Sequence, residues 1–109
     1  MTTLSARFTQ SPAETKRYVM DYTLQLAPGE AISSVAVNIV QTGGPTTGVP
    51  ALVVNNVALL PPVNGVVLGA AFYVSGGGNG CQYEVQFLAT TSISQILEDI
   101  VQYVLAEKL

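Results

Sequence analysis

An all-β sandwich is the fold class that the sequence predicts, and three observations predict it. Segments rich in β-branched and aromatic residues recur at spacings of about 8–14 residues. Clusters of Gly, Pro and Asn separate them, and no interior segment shows a clear helical period. The third observation is room for one core only: 109 residues suit a single domain that buries roughly two-thirds of the surface of its unfolded chain. Together these point to about six to eight antiparallel strands in two packed sheets.

The elements follow in order. Residues 1–14 are polar and mixed, and read as a flexible N-terminal arm or an edge segment, with the folded domain spanning 15–109. Tyr18 to Leu24 suits a first strand, and Ala27-Pro28-Gly29-Glu30 has turn chemistry, since Gly29 accepts a positive φ. Val35, Val37 and Ile39 alternate as on a half-buried strand. The small-residue loop 41–50 is the candidate for a mobile or partner-contacting tip. Leu52 to Leu59 predicts a strand, or two short ones with a turn or bulge at Asn55-Asn56. Val66 to Val74 is the most apolar stretch and reads as a central strand, with Gly69 marking a bulge or a close backbone approach. Gly76, Gly77 and Gly80 lie in a sharp connection. After it Tyr83, Val85, Phe87 and Ala89 share one face, and Gln82, Glu84 and Gln86 the other.

The last segment supports two readings. Ile93, Ile96, Leu97, Ile100, Val101, Val104 and Leu105 fall at helical spacing, and Ser92 with Gln95 resembles a capping box. A strand instead places Leu97, Asp99, Val101, Tyr103 and Leu105 on one side and completes a hairpin. The strand is preferred on the resemblance given below.

Composition narrows the function. Hydrophobic residues make up 49% of the chain and charged residues 10%, against roughly a quarter charged in ordinary soluble domains. A surface so poor in charge suits a protein whose surface is covered by partners. The net charge is −3 with four Lys and Arg, so no basic stripe exists to neutralise phosphates or anionic lipid. The sequence thus predicts neither nucleic-acid nor membrane partners. Met1 to Phe8 contains no apolar h-region, so no signal peptide is expected. The single cysteine, Cys81, reads as a half-buried structural residue.

Candidate chemistry is thin. The chain has no histidine, which removes the usual general base. Glu98 and Asp99 are adjacent and would face opposite ways on a strand, and Glu84 and Glu98 would have to meet across a hairpin to form a carboxylate dyad. Metal sites lack clustered His, Cys or spaced carboxylates. The glycine-rich stretch lacks the lysine of a phosphate-binding loop. No catalytic residue, cofactor, metal or small-molecule substrate is expected, and the protein is predicted not to be an enzyme.

The run Tyr18-Val19-Met20-Asp21-Tyr22-Thr23-Leu24, continuing through Gly29-Glu30-Ala31-Ile32-Ser33, resembles the start of a small Ig-like module of tailed-phage structural proteins. Ser75-Gly76-Gly77, Gly80 and Tyr83 resemble that module's later signature, and the similarity spans roughly residues 15 to 106. The resemblance implies an immunoglobulin-like sandwich. It singles out Asp21, Gly29, Gly76, Gly77, Gly80 and Tyr83 as structural turn residues. Asp21 either accepts hydrogen bonds from the Gly29-Glu30 turn or is an exposed strand residue, and the Tyr83 hydroxyl is expected to bond a turn.

The function implied is that of a non-enzymatic virion structural protein, made in the host cytoplasm. Its first expected role is capsid decoration or head stabilisation. The alternatives are a neck or tail-fibre-associated component, or a receptor- or carbohydrate-binding module. The expected partners are major capsid or neck proteins and further copies of the chain. The likeliest contact elements by this reading are residues 1–14, the 41–50 loop and the C-terminal segment.

Overall fold

The computed structural model describes residues 6–107. Seven strands form: β1 (Ala6–Gln10), β2 (Thr15–Asp21), β3 (Ile32–Gly43), β4 (Leu52–Leu59), β5 (Gly69–Gly76), β6 (Gln82–Thr91) and β7 (Ile96–Leu105), with one 3-10 turn at Thr23–Gln25. They make a four-stranded sheet in the order β1-β7-β6-β3 and a three-stranded sheet in the order β2-β5-β4. The all-β sandwich is therefore present, in an arrangement compatible with an Ig-like fold.

Alternation drives the packing of the sheets. On β6, Tyr83, Val85, Phe87 and Ala89 are buried while Gln82, Glu84 and Gln86 are only half-buried. On β7 the buried row is Val101, Tyr103 and Leu105. These side chains meet Phe72 and Val74 of β5 and Leu52 of β4 in one apolar cluster. Phe72 and Phe87 join the sheets at the centre, with ring centroids 4.5 Å apart. A smaller cluster of Tyr22, Ile32 and Ala89 closes one end.

Two expectations require correction. The strands are not all antiparallel: β1 runs parallel to β7, with Phe8 opposite Tyr103 and Gln10 opposite Leu105. The boundary at residue 14 also moves, because Ala6–Gln10 is an edge strand of the larger sheet rather than part of an arm. The physical reason is burial. Phe8 packs on Tyr18 and Tyr103, with centroids 4.9 and 5.8 Å away. Gln10 is fully buried, its Nε2 donating to the Val74 carbonyl at 2.8 Å and its Oε1 accepting from the Tyr18 hydroxyl at 2.8 Å. Residues 11–14 are a turn in which the Ser11 amide donates to Glu14 Oε1. Residues 1–5 of the expected arm lie outside the described residues.

The C-terminal ambiguity resolves as a strand, paired antiparallel with β6 from Gln82↔Val104 to Thr90↔Ile96. Ser92 and Gln95 cap no helix. Thr91–Gln95 is the hairpin turn, with Ser94 at φ 66° and the Thr91 amide donating to the Gln95 carbonyl. The helical spacing arises because the outward face of β7 also carries apolar residues, Ile96, Ile100 and Val104, between the inward ones. Two-sided apolarity mimics a helical period.

Elsewhere the boundaries shift by a few residues. The first predicted strand starts at Thr15, and Thr23–Gln25 leaves it as a 3-10 turn. The Asn55-Asn56 feature is a bulge within one strand, with Asn56 at φ 51°. Val66, Val67 and Leu68 precede β5, which is the central strand of the smaller sheet. At Gly69 a Cβ would land on the Met20 carbonyl, so β2 approaches there too closely for any side chain.

One buried group is badly served. Tyr103 is fully buried, yet its hydroxyl has no hydrogen-bond partner among the described residues. Leaving such a group unpaired costs about 1–3 kcal/mol. Tyr103→Phe is therefore expected to raise stability by up to about that amount in urea denaturation at neutral pH. Burial also raises the Tyr103 pKa well above its ordinary 10.0. Burial, followed by the Asp99 charge, does the same to Tyr22. Above pH 10 an unfolded tyrosine ionises while these folded ones resist, so stability is complete below pH 10 and falls as the pH rises further. Tyr103→Phe should make that alkaline decline shallower.

Candidate functional site

The sequence-predicted turn residues fall at opposite ends of the sandwich. At one end β5 finishes at Gly76, and the chain crosses to the larger sheet through 77–81. Gly76, Gly77 and Gly80 have φ values of 73°, 84° and 80°, a region where a Cβ is strained. The Tyr83 hydroxyl lies in this corner, accepting from the Gly78 amide at 3.1 Å and donating to the Pro50 carbonyl at 3.4 Å. A tyrosine near the start of this strand, bonded to backbone a few residues upstream, matches the tyrosine corner of Ig-like domains. The structure thus brings Gly76, Gly77, Gly80 and Tyr83 together.

Asp21 and Gly29 belong to the other end. Gly29, at φ 79°, completes the 27–30 turn. Asp21 does not reach that turn: its carboxylate accepts from the Thr23 amide at 2.9 Å and from the Thr23 hydroxyl. Those two hydrogen bonds lower its pKa. The turn is held instead by Glu30, whose Oε1 accepts from the Ala27 amide at 2.8 Å. Asp21 ends a strand whose next residues turn away, so it serves its own neighbour as an Asx-type bond.

The loop after β3 is anchored over its first half. Gln41 Nε2 donates to the carbonyls of Gly43 and Pro45, at 3.1 and 2.8 Å, and the Cys81 thiol donates to the Pro45 carbonyl at 3.3 Å. Cys81 is fully buried and free. Residues 44–48 remain exposed.

No catalytic grouping comes together among the described residues. Glu84 pairs opposite Gln102 and Glu98 opposite Leu88. The register sets the two glutamates four positions apart across the hairpin, roughly 14 Å between their backbones. Glu98 instead accepts from Gln86 Nε2. No group of three or more His, Cys, Asp or Glu able to hold a metal occurs among the described residues. No helix there is long and apolar enough to cross a membrane.

What the fold does present is surface for assembly. Among the described residues the long strand β3 pairs only with β6, and its stretch 34–41 carries no charge and no proline. Natural proteins usually protect such an edge with one or the other. Val40 on its outer face is 52% exposed, and Ile96 at the start of β7 is 67% exposed. Between the two sheets, β1 and β2 flank a groove of about 190 Å³. Phe8, Tyr18, Met20 and Phe72 form its apolar wall, and Asp21, Asp99 and Gln25 also line it. Sequence reasoning missed the groove because the parallel β1–β7 pairing that creates it leaves no local signature.

No curated protein and no solved structure matches the chain. A family model does match, over residues 10–102, and its description reads Gp77, podophage GP4 fibre-tail adaptor protein gp77. The match is to a phage structural family and not specifically to an Ig-like head-decoration module. Since it covers all but the ends of the sandwich, the chain belongs to the Gp77 family of podophage fibre-tail adaptor proteins.

Proposed function

We propose that the protein is a structural adaptor of a podophage virion, joining the tail fibre to the tail by binding both. The observation that carries this reading is the family match across residues 10–102. The physical character of the chain supports it. A sandwich with little charge, an uncharged free strand edge and exposed apolar side chains on its outer faces is suited to burying surface against other polypeptides. Its partners on this reading are tail and fibre proteins rather than the shell, and any self-association adds to those contacts.

The tail-fibre-associated role thereby replaces capsid decoration as the leading reading. Function is buried area and geometry, with no turnover. The chain would be made in the infected cell and retained in the particle.

Quantifying the chain against the major shell protein in purified particles tests the location. About six to eighteen copies per particle, following the tail and fibre fractions when heads and tails are separated, agrees with an adaptor. One copy per shell subunit, remaining with tailless heads, would restore the decoration reading and overturn this one.

A further inference from the structure

We propose that two copies of the chain pair through their β3 edges, antiparallel across a twofold axis, into a dimer with one continuous larger sheet. The inference goes beyond the adaptor reading and stands on the fold alone.

The distribution of charge singles out one side of the sandwich. Residues 31–83 contain no Asp, Glu, Lys or Arg, and that span holds β3, β4 and β5. Strands β3 and β4 are the edges of their sheets and touch each other, so together they make an uncharged side. The edge strands of the opposite side, β1 and β2, carry Arg7, Lys16 and Arg17. Charges so placed keep a sheet edge from pairing with another chain. Of the two uncharged edges, β4 is interrupted between Asn55 and Ala58, and such a bulge is itself an edge defence. Strand β3 runs in regular register from Ser34 to Gln41, with shifts only at its two ends. It is the strand free to pair.

The core is also unfinished at this edge. Val35, Val37 and Ile39 pack against the main apolar cluster, yet all three are only half-buried. The facing row of β6, which is Tyr83, Val85, Phe87 and Ala89, is buried throughout. A strand laid beside β3 extends the sheet and covers the exposed part of the row.

The edge is complementary to itself. Inward side chains must stay inward in both copies, so the axis passes through a residue rather than between two. An axis through Val37 sets that residue opposite its own copy and Val35 opposite Ile39. On the outer face Ala36 then meets Asn38, and Ser34 meets Val40. An axis through Asn38 would instead put Val35 opposite Gln41, whose amide is committed to the Gly43 and Pro45 carbonyls. The Val37 register matches apolar with apolar along the inner row. It brings no like charges together, the obstacle that normally stops a strand from pairing with itself. A charged partner strand would find no counter-charge here.

The area suffices as well. Twelve residues of β3 extend roughly 40 Å, and the shortest extent of the molecule is 19 Å. This side therefore offers roughly 750 Å² per copy, close to the 800 Å² or so that each partner gives to a stable interface. Because the contact is isologous it closes at two copies.

Sedimentation velocity on the full chain tests the pairing. A dimer with a Kd at or below about 10 μM is the expected result. Ala36→Lys combined with Asn38→Lys puts like charges opposite each other across the axis, on exposed outward positions. That variant should dimerise at least about 100-fold more weakly, with an unchanged circular dichroism spectrum. Ala36→Glu combined with Asn38→Glu should do the same, and an equimolar mixture of the two variants should recover the dimer. A wild-type chain that stays monomeric at about 100 μM, a dimer that survives in both variants, or a mixture that stays monomeric would each overturn the proposal. Such a failure leaves the adaptor reading intact, since that reading is tested on particles.

Discussion

Phe87→Ala is expected to destabilise the protein by about 3–5 kcal/mol, the range for removing a buried phenylalanine from a packed core. Phe87 is fully buried at the middle of β6, and its ring meets Phe72 of the opposite sheet. Truncation leaves a cavity between the two sheets, where neither can relax into it without disturbing its own ladder. Domains of this size hold only about 5–15 kcal/mol in total. The variant should therefore be partly unfolded at physiological temperature, which urea titration followed by circular dichroism would show as a large fall in midpoint. A loss below about 1 kcal/mol would mean that the sheets do not meet at this ring pair.

The second large effect is expected at the corner. Gly77→Ala meets two penalties: φ is 84°, and the new Cβ would lie 2.9 Å from Leu105 Cγ and 3.3 Å from both Leu52 Cδ1 and Tyr83 Cε2. The left-handed conformation costs about 1–2 kcal/mol for an L-residue, and overpacking typically adds about 1–3. Gly80→Ala makes the control, because Gly80 has the same kind of φ, 80°, but nothing within 4 Å of its Cβ position. It should lose only the conformational part, about 1–2 kcal/mol. Equal losses at the two positions would show that crowding against Leu105 contributes nothing.

These two sites also show what was legible in the sequence and what was not. Tyr83 to Ala89 declares its inward face by strict alternation, and the glycines around residue 77 declare a turn. Both signals are local, and both elements fell close to where the residues placed them. Helical spacing competed with the strand reading of the last segment, which holds, because β7 is apolar on both faces and its outward side carries Ile96, Ile100 and Val104. The role of Ala6–Gln10 was hidden for a different reason. A parallel partner 95 residues away leaves no pattern in five residues, and only the burial of Gln10 and the packing of the Phe8 ring on Tyr18 and Tyr103 give the strand its place. Of the two readings for Asp21, the exposed strand residue holds: its carboxylate accepts from Thr23, and the 27–30 turn is held by its own Glu30. The groove inherits this non-locality: it exists only once β1 and β2 are set side by side by separate sheets.

The function was legible as a class. Scarce charge and a missing histidine spoke for binding over turnover, with Glu84 and Glu98 left as a pair that would have to meet across a hairpin. They could not distinguish shell from tail, since both bury surface by the same physics.

The central claim, that this chain couples fibre to tail, is tested most directly by making particles without it and imaging them. The account predicts intact heads and tails that lack fibres, with fibres restored when the purified protein is added back. Particles that assemble a full set of fibres in its absence would contradict it.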